Sequence, residues 1–302
     1  MTTTTRDART PPAAALSLIG SAGGRRPGRL PRPTERRVGL AILAACGLGA
    51  LAVPRISRWD VTAFAASALE PPSWAHPFGT DQLGRDVLTR AAAAVGLDLA
   101  ITLVAVAACL ATGTMVGLLL ILAPKLVRNL ALRLVDAFLA IPFILLVLLA
   151  AGGLESKLAI GGVQPRIAAV MVAIVLSGWA PYARFTVTRA LALRERESIV
   201  AARLLGYSPA RVLVKHMAPA VMSTNLSYAA AQAVGTVGTV ASLAFLGVGV
   251  TEPAAELGQM MQAGIGLLPV AWWVAIVPGL AVLVIGTGFG LVADSLAEEA
   301  SQ

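Results

Sequence analysis

Long apolar runs alternate along this chain with polar, Arg-rich segments, and the runs are far longer than strands. A membrane-spanning helix needs about 20 largely apolar residues. Six stretches approach or exceed that length: 38–54, 99–124, 137–154, 167–183, 217–251 and 267–293, and none contains Asp, Glu, Lys or Arg. The fourth is short and ends at Trp179 and Tyr182, side chains suited to an interface. The fifth is rich in Gly, Ser and Thr, and the sixth carries Trp272 and Trp273 near one end. The pattern predicts an all-α integral membrane protein with six transmembrane helices.

Composition agrees. Hydrophobic residues make up 57% and charged residues 13%, with a mean hydropathy of +0.78, whereas soluble domains carry about 25% charged residues. So few charges cannot keep a surface this apolar in water, and lipid is the expected solvent. The net charge of +8 fits either nucleic-acid binding or a membrane protein whose inner loops are basic. Placement decides. Eighteen of the 24 basic residues lie in the N-terminal lead and in the 124–133 and 184–216 segments. Six spans put all three on one side, which predicts cytoplasmic N and C termini in the cell membrane. The acidic end at Asp294, Glu298 and Glu299 weighs little in that rule.

Residues 1–35 are rich in Thr, Pro, Gly and Arg without apolar periodicity and read as a disordered basic cytoplasmic tail. A nucleic-acid arm is the weaker alternative, since basic tails before a first span are expected anyway. The first apolar run starts only at Val38, so no cleavable signal peptide is expected. Residues 36–97 read as the first helix and an outer loop. Residues 98–296 read as a five-helix core that contains a cytoplasmic loop at 184–219. Cys46 and Cys109 lie inside apolar runs and read as buried thiols. Asp136 stands at the end of the third span and reads as an interfacial acid near Arg133, with a functional role as the alternative. The pairs Gly113–Gly117 and Gly286–Gly290 read as close helix contacts.

The 184–219 segment is too long for a plain turn. Ile199, Ala202 and Leu205 recur at helical spacing, Gly206 suits a left-handed helix end, and Ser208-Pro209 forms an N-cap and first-turn pair. The expected unit is helix, sharp turn, helix, with Pro219 at the entry to the fifth span. The small Ala201–Ala202 pair would let a partner's groove approach the backbone. An amphipathic helix resting on lipid is the other reading. Upstream, Gly79 and Gly84 allow tight turns and Asp81, Arg85 and Asp86 can pair locally, which predicts a polar cap before the second span. A metal site at His76, Asp81 and Asp86 is the weaker alternative.

Ala201-Ala202-x3-Gly206, followed by Pro219, resembles the EAA loop of binding-protein-dependent ABC importer permeases, with Val200 where Glu occurs and Ala218 where Leu is common. His76-Pro-Phe-Gly-Thr-Asp-Gln-Leu-Gly-Arg-Asp86 resembles the stretch before the second span of the C-type membrane subunit of dipeptide, oligopeptide and nickel importers. Leu134-Val-Asp136 with Ile141-Pro142, Phe245-Leu-Gly-Val-Gly249 and Pro278-Gly279 are similar to further segments of that family, while Leu257-Gly258 stands where it has Trp-Gly. The resemblance spans about residues 36–296 and implies the type I ABC importer permease fold with an added N-terminal helix. It implies that Val200, Ala201, Ala202, Gly206 and Pro219 belong to the ATPase-coupling element. The implied partners are a homologous second permease subunit, cytoplasmic ATP-binding subunits, an extracytoplasmic solute-binding protein and the lipid bilayer, with no nucleic acid.

No GxxxxGK[ST] loop, HExxH, GxSxG or CxxC motif occurs, so neither an ATPase site of its own nor any cofactor is expected. The function implied is the permease subunit of an ATP-driven importer for peptides, nickel or related small solutes. An ion-coupled secondary transporter is the runner-up. It would need ionisable groups deep in the spans, and the sequence shows almost none.

Overall fold

In lipid a chain satisfies its backbone polar groups only as helices or closed barrels. The computed structural model describes residues 32–154, 164–250 and 252–300, and its regular elements are helical apart from one isolated bridge between Thr80 and Asp86. In chain order they are α1 (Arg32–Ile56), α2 (Val87–Leu122), α3 (Lys125–Leu139), α4 (Phe143–Leu154), α5 (Pro165–Leu193), α6 (Glu197–Leu204), α7 (Pro209–Val212), a π-helical turn (Leu213–Met217), α8 (Ala218–Phe245), α9 (Leu257–Ile265) and α10 (Trp273–Ala300).

Among the described residues five helices are long and apolar enough to cross a membrane, α7 running through the π turn into α8 as one of them. The third apolar run supplies the further candidate as a bent pair: α3 and α4 meet at 87°. Pro142 explains the break, because it lacks an N–H and pushes Ile141 away from helical geometry. The six-span expectation holds with this bent pair counted as one.

Boundaries shift where caps override hydropathy. The second span starts at Val87, not 99, because Asp86 accepts the Thr89 amide at 2.8 Å and caps the helix. Its 36 residues make a rod of about 54 Å, against an apolar bilayer core of about 30 Å, so α2 projects beyond the membrane. It runs across the 97/98 division. The last helix starts at Trp273 instead of 267, and the first at Arg32, inside the expected tail. Residues 1–31 of that tail lie outside the described residues.

The bundle is centred on α2 and α5. A Cβ on Gly113 would sit 2.2 Å from the Trp179 carbonyl oxygen, and one on Gly117 would sit 2.5 Å from Thr186 Cβ. The first glycine pair therefore does set a helix crossing. The second does not: a Cβ at Gly286 or Gly290 would meet open space. The contact belongs to Gly288 between them, packed on Ile42 and Leu43, while Gly39 approaches the Gly288 carbonyl. That notch seats α1 on α10, with an exposed Arg36–Glu299 pair at 2.7 Å across its end.

Residues 57–86 fold back as a cap on the ends of α2 and α10. Gly79 and Gly84 have φ of +72° and +73°. A side chain on Gly79 would strike the Trp273 indole, whose Nε1 donates to the Thr80 carbonyl at 3.0 Å. Asp81 pairs with Arg85 at 2.7 Å, and Arg85 reaches Glu252 at 3.0 Å. His76 bonds Asp86 at 2.9 Å. Asp81 is thus committed to Arg85 while His76 turns to Asp86, so the three do not converge as ligands. Among the described residues no group of three His, Cys, Asp or Glu could hold a metal.

Candidate functional site

At the opposite end of the bundle from the cap, the chain builds an elbow. Helix α6 ends in a Schellman closure: the Tyr207 amide donates to the Ala202 carbonyl at 3.2 Å and the Gly206 amide to Arg203 at 2.9 Å. Gly206 has φ +79°, the left-handed geometry that L side chains avoid. Ser208 then accepts the Arg211 amide at 3.3 Å and starts α7, with Pro209 in its first turn. The elbow rests on a small apolar core of its own. Ile199 and Ala202 bury against Val187, Ala190 and Val212. Arg194 donates to the Ile121 carbonyl at 2.8 Å, pinning the elbow to the end of α2.

This geometry divides the residues singled out in the sequence. Ala202 is buried, at 5% exposure, and faces the bundle instead of an approaching partner. Ala201 and Val200 face outward. Leu205, which shares the helical spacing of Ile199 and Ala202, is the residue closing α6 and is 75% exposed, next to Leu204 at 84%. The outward knob of the elbow is therefore leucine, not alanine. Pro219 sits in the first turn of α8. Asp136 pairs with Arg184 of α5, not with Arg133, and both are half-exposed.

Between elbow and cap, the bend of the broken span opens a cavity of about 470 Å³. Ala140–Pro142 form one wall, Ser177 and Gly178 of α5 another, and Tyr228, Gln232 and Thr236 of α8 a third. Among the described residues the lining carries no charged side chain. Two of its polar atoms, Gln232 Oε1 and Thr236 Oγ1, are buried without a hydrogen-bond partner among the described residues. Gly178 keeps the walls close: a Cβ there would lie 2.7 Å from Gln232 Nε2 and 2.8 Å from Cys109 Sγ.

One further polar node lies on the same helix. Asn225 is fully buried and its Nδ2 donates to Thr114 at 2.8 Å and Thr186 at 2.7 Å. It ties α8, α2 and α5 together one turn before Tyr228. A lone Asn in an apolar run was the available signal, but its two threonine partners are 111 and 39 residues away.

A helical bundle with a cavity at a bent helix pair and a helix–turn–helix elbow leading into one cavity wall suits a membrane permease. The chain belongs to the family of binding-protein-dependent transport system inner membrane components, which matches residues 92–300. It is 33% identical over 265 residues to the nickel transport system permease protein NikC of Escherichia coli, covering 86% of this chain and 91% of that one. It is 32% identical over 270 residues to the di/tripeptide transport system permease protein DppC of Pseudomonas aeruginosa, covering 85% and 84%. In fold it is similar to a chain of the MetNI methionine ABC transporter in inward-facing conformations, with a TM-score of 0.53, 20% identity, and coverage of 70% of this chain and 97% of that one. The protein is a permease subunit of a binding-protein-dependent ABC importer, and the ion-coupled alternative finds no support among its relatives.

Proposed function

We propose that this subunit carries peptides or nickel chelates inward through a path it completes with a homologous second permease subunit. It contributes no ATPase site and is driven by separate ATP-binding subunits that grip the elbow, while a solute-binding protein delivers cargo at the cap. The observation that carries the reading is continuity. The elbow helix α7 runs through the π turn into α8, whose Tyr228, Gln232 and Thr236 line the cavity. A push on the elbow moves a cavity wall directly. Val200, Ala201, Leu204 and Leu205 supply the outward contact, Gly206 sets the turn, and Ala202 and Pro219 hold it to the bundle. The uncharged lining, with two free hydrogen-bonding oxygens, suits a solute that passes whole, as a peptide or an intact chelate.

The relatives named for peptide and nickel transport support this substrate range, and the basic loops support cytoplasmic termini. Two experiments test it. Leu204→Asp with Leu205→Asp should leave the chain inserted yet abolish co-purification of the ATP-binding subunits and uptake of labelled dialanine or nickel–histidine. Full retention of both would overturn the coupling role. A cysteine at Ser73 should react with an impermeant reagent from outside intact cells and one at Ser198 should not, and the reverse would invert the topology.

A further inference from the structure

We propose that the groove between α3 and the elbow-side halves of α2 and α5 binds one anionic phospholipid, an acyl chain lying along α3 and the phosphate meeting Arg128 and Lys125. The site is apart from the solute cavity and from the elbow's outward leucines. Its place in the inner leaflet rests on the topology proposed above, but its lipid chemistry does not.

The groove follows from how loosely α3 is seated. Val135 is the one buried residue of this 15-residue helix. A space of about 310 Å³ is left beside it. Val116 and Leu120 of α2 form one wall and Ala131 and Val135 of α3 the other. Phe138 and Trp179 close the deep end, with ring centroids 6.3 Å apart. Arg128, Ala131, Val135 and Phe138 follow one another at intervals of three and four, so they share a face of α3. From Arg128 to Phe138 that face runs about 15 Å, half of a bilayer core of about 30 Å. The groove is thus one leaflet deep. A helix of that length, about 10 Å wide, would fill about 1200 Å³. The space suits a slimmer body, and a single hydrocarbon chain is one.

The mouth of the groove is basic and unneutralised. Arg128 is half-buried, and its Nε is shielded from solvent without a hydrogen-bond partner among the described residues. Neither Arg128 nor the exposed Lys125 has an ion-pair partner among those residues. The chain has no Asp or Glu between Asp98 and Asp136, and Asp136 is taken by Arg184. Arg194 stands at the same corner, pinned to the Ile121 carbonyl at 2.8 Å, and its Nε is likewise without a partner. Both cations also load the wrong end of a helix. The N-terminus of α3 carries partial positive charge, yet it has no acid in its first turn and no side-chain cap. A phosphate there would answer the helix end and the guanidinium together. The inner leaflet supplies such phosphates on anionic lipids, and their tails match the apolar walls. A partner protein would have to match both a narrow apolar slot and a cationic mouth.

The test places the purified full chain in phosphatidylcholine nanodiscs containing a trace of phosphatidylglycerol with a photoreactive acyl chain. Crosslinks mapped by mass spectrometry should concentrate at residues 116–120 and 131–138. Unlabelled phosphatidylglycerol should displace them, and glycerol 3-phosphate should not. Arg128→Gln should raise the phosphatidylglycerol needed for half displacement about fivefold. Arg133→Gln removes the same charge about 140° round the helix and should leave that value unchanged. Ala131→Phe, which fills the groove without touching a charge, should remove the crosslinks. Crosslinks spread evenly over the lipid-facing helices, or equal displacement in wild type and Arg128→Gln, would overturn the proposal. Displacement by glycerol 3-phosphate would make the ligand a free phosphate, and loss of the crosslinks in the importer purified with its second permease subunit would make the groove a protein interface. Either result also overturns it. The wild-type map and its competition decide the matter even if a variant fails to fold.

Discussion

The cap and the elbow are both irregular segments at the ends of one bundle, and they are held by opposite physics. The cap is stitched with directional polar contacts. His76, Asp81, Arg85 and Asp86 are each 5% exposed or less, and Trp273 reaches across 193 residues to Thr80. The elbow has its own local hydrogen bonds but meets the bundle through a small apolar patch and one Arg194 bond, leaving Leu204, Leu205 and Val214 in the open. A network of buried ion pairs has one good geometry and resists deformation. An apolar patch can slide, and exposed leucines need a cover. The cap thus reads as a fixed platform and the elbow as a part made to be moved by something else.

The sharpest way to break this contrast is to cut the cap. Arg85→Ala takes from the buried Asp81 carboxylate its closest cation, leaving Arg90 at 3.6 Å, and should cost about 3 kcal/mol, lowering the unfolding temperature in detergent and the membrane abundance together. Near-wild-type melting would show that the cap is not the rigid end. Gly206→Val comes next. Forcing a β-branched residue to φ +79° should cost about 2 kcal/mol, confined to the elbow, so that protease cleavage at 194–208 rises while the main melting transition hardly moves. Trp273→Phe removes one buried N–H bond to the cap and should cost about 1 kcal/mol, visible as faster hydrogen exchange at Gly79 and Thr80. Leu205→Asp should change stability by less than about 0.5 kcal/mol and yet abolish uptake. A large stability loss there would place Leu205 in the core after all.

Much of this was legible in the chain. The six apolar runs, the Gly206 turn, the Ser208 cap and the Gly113–Gly117 crossing are local signals, and each is a matter of one residue's own conformational or packing limits. The elbow's facing was less legible, because Ala201 and Ala202 are chemically alike and only the docking of α6 on α5 and α7 decides which is buried. The Gly286–Gly290 pair misled because spacing shows that a face is small without showing whether anything packs on it.

What the sequence by itself determined is the membrane solvent, the apolar runs and the places where the backbone turns. These follow from hydropathy, proline and glycine, which act within a few residues. What only the tertiary structure decided is which polar groups meet. Asn225 finds Thr114 and Thr186, and Arg85 finds Glu252. Such pairings depend on how helices cross, and a crossing is fixed by the packing of whole faces, which no local pattern encodes.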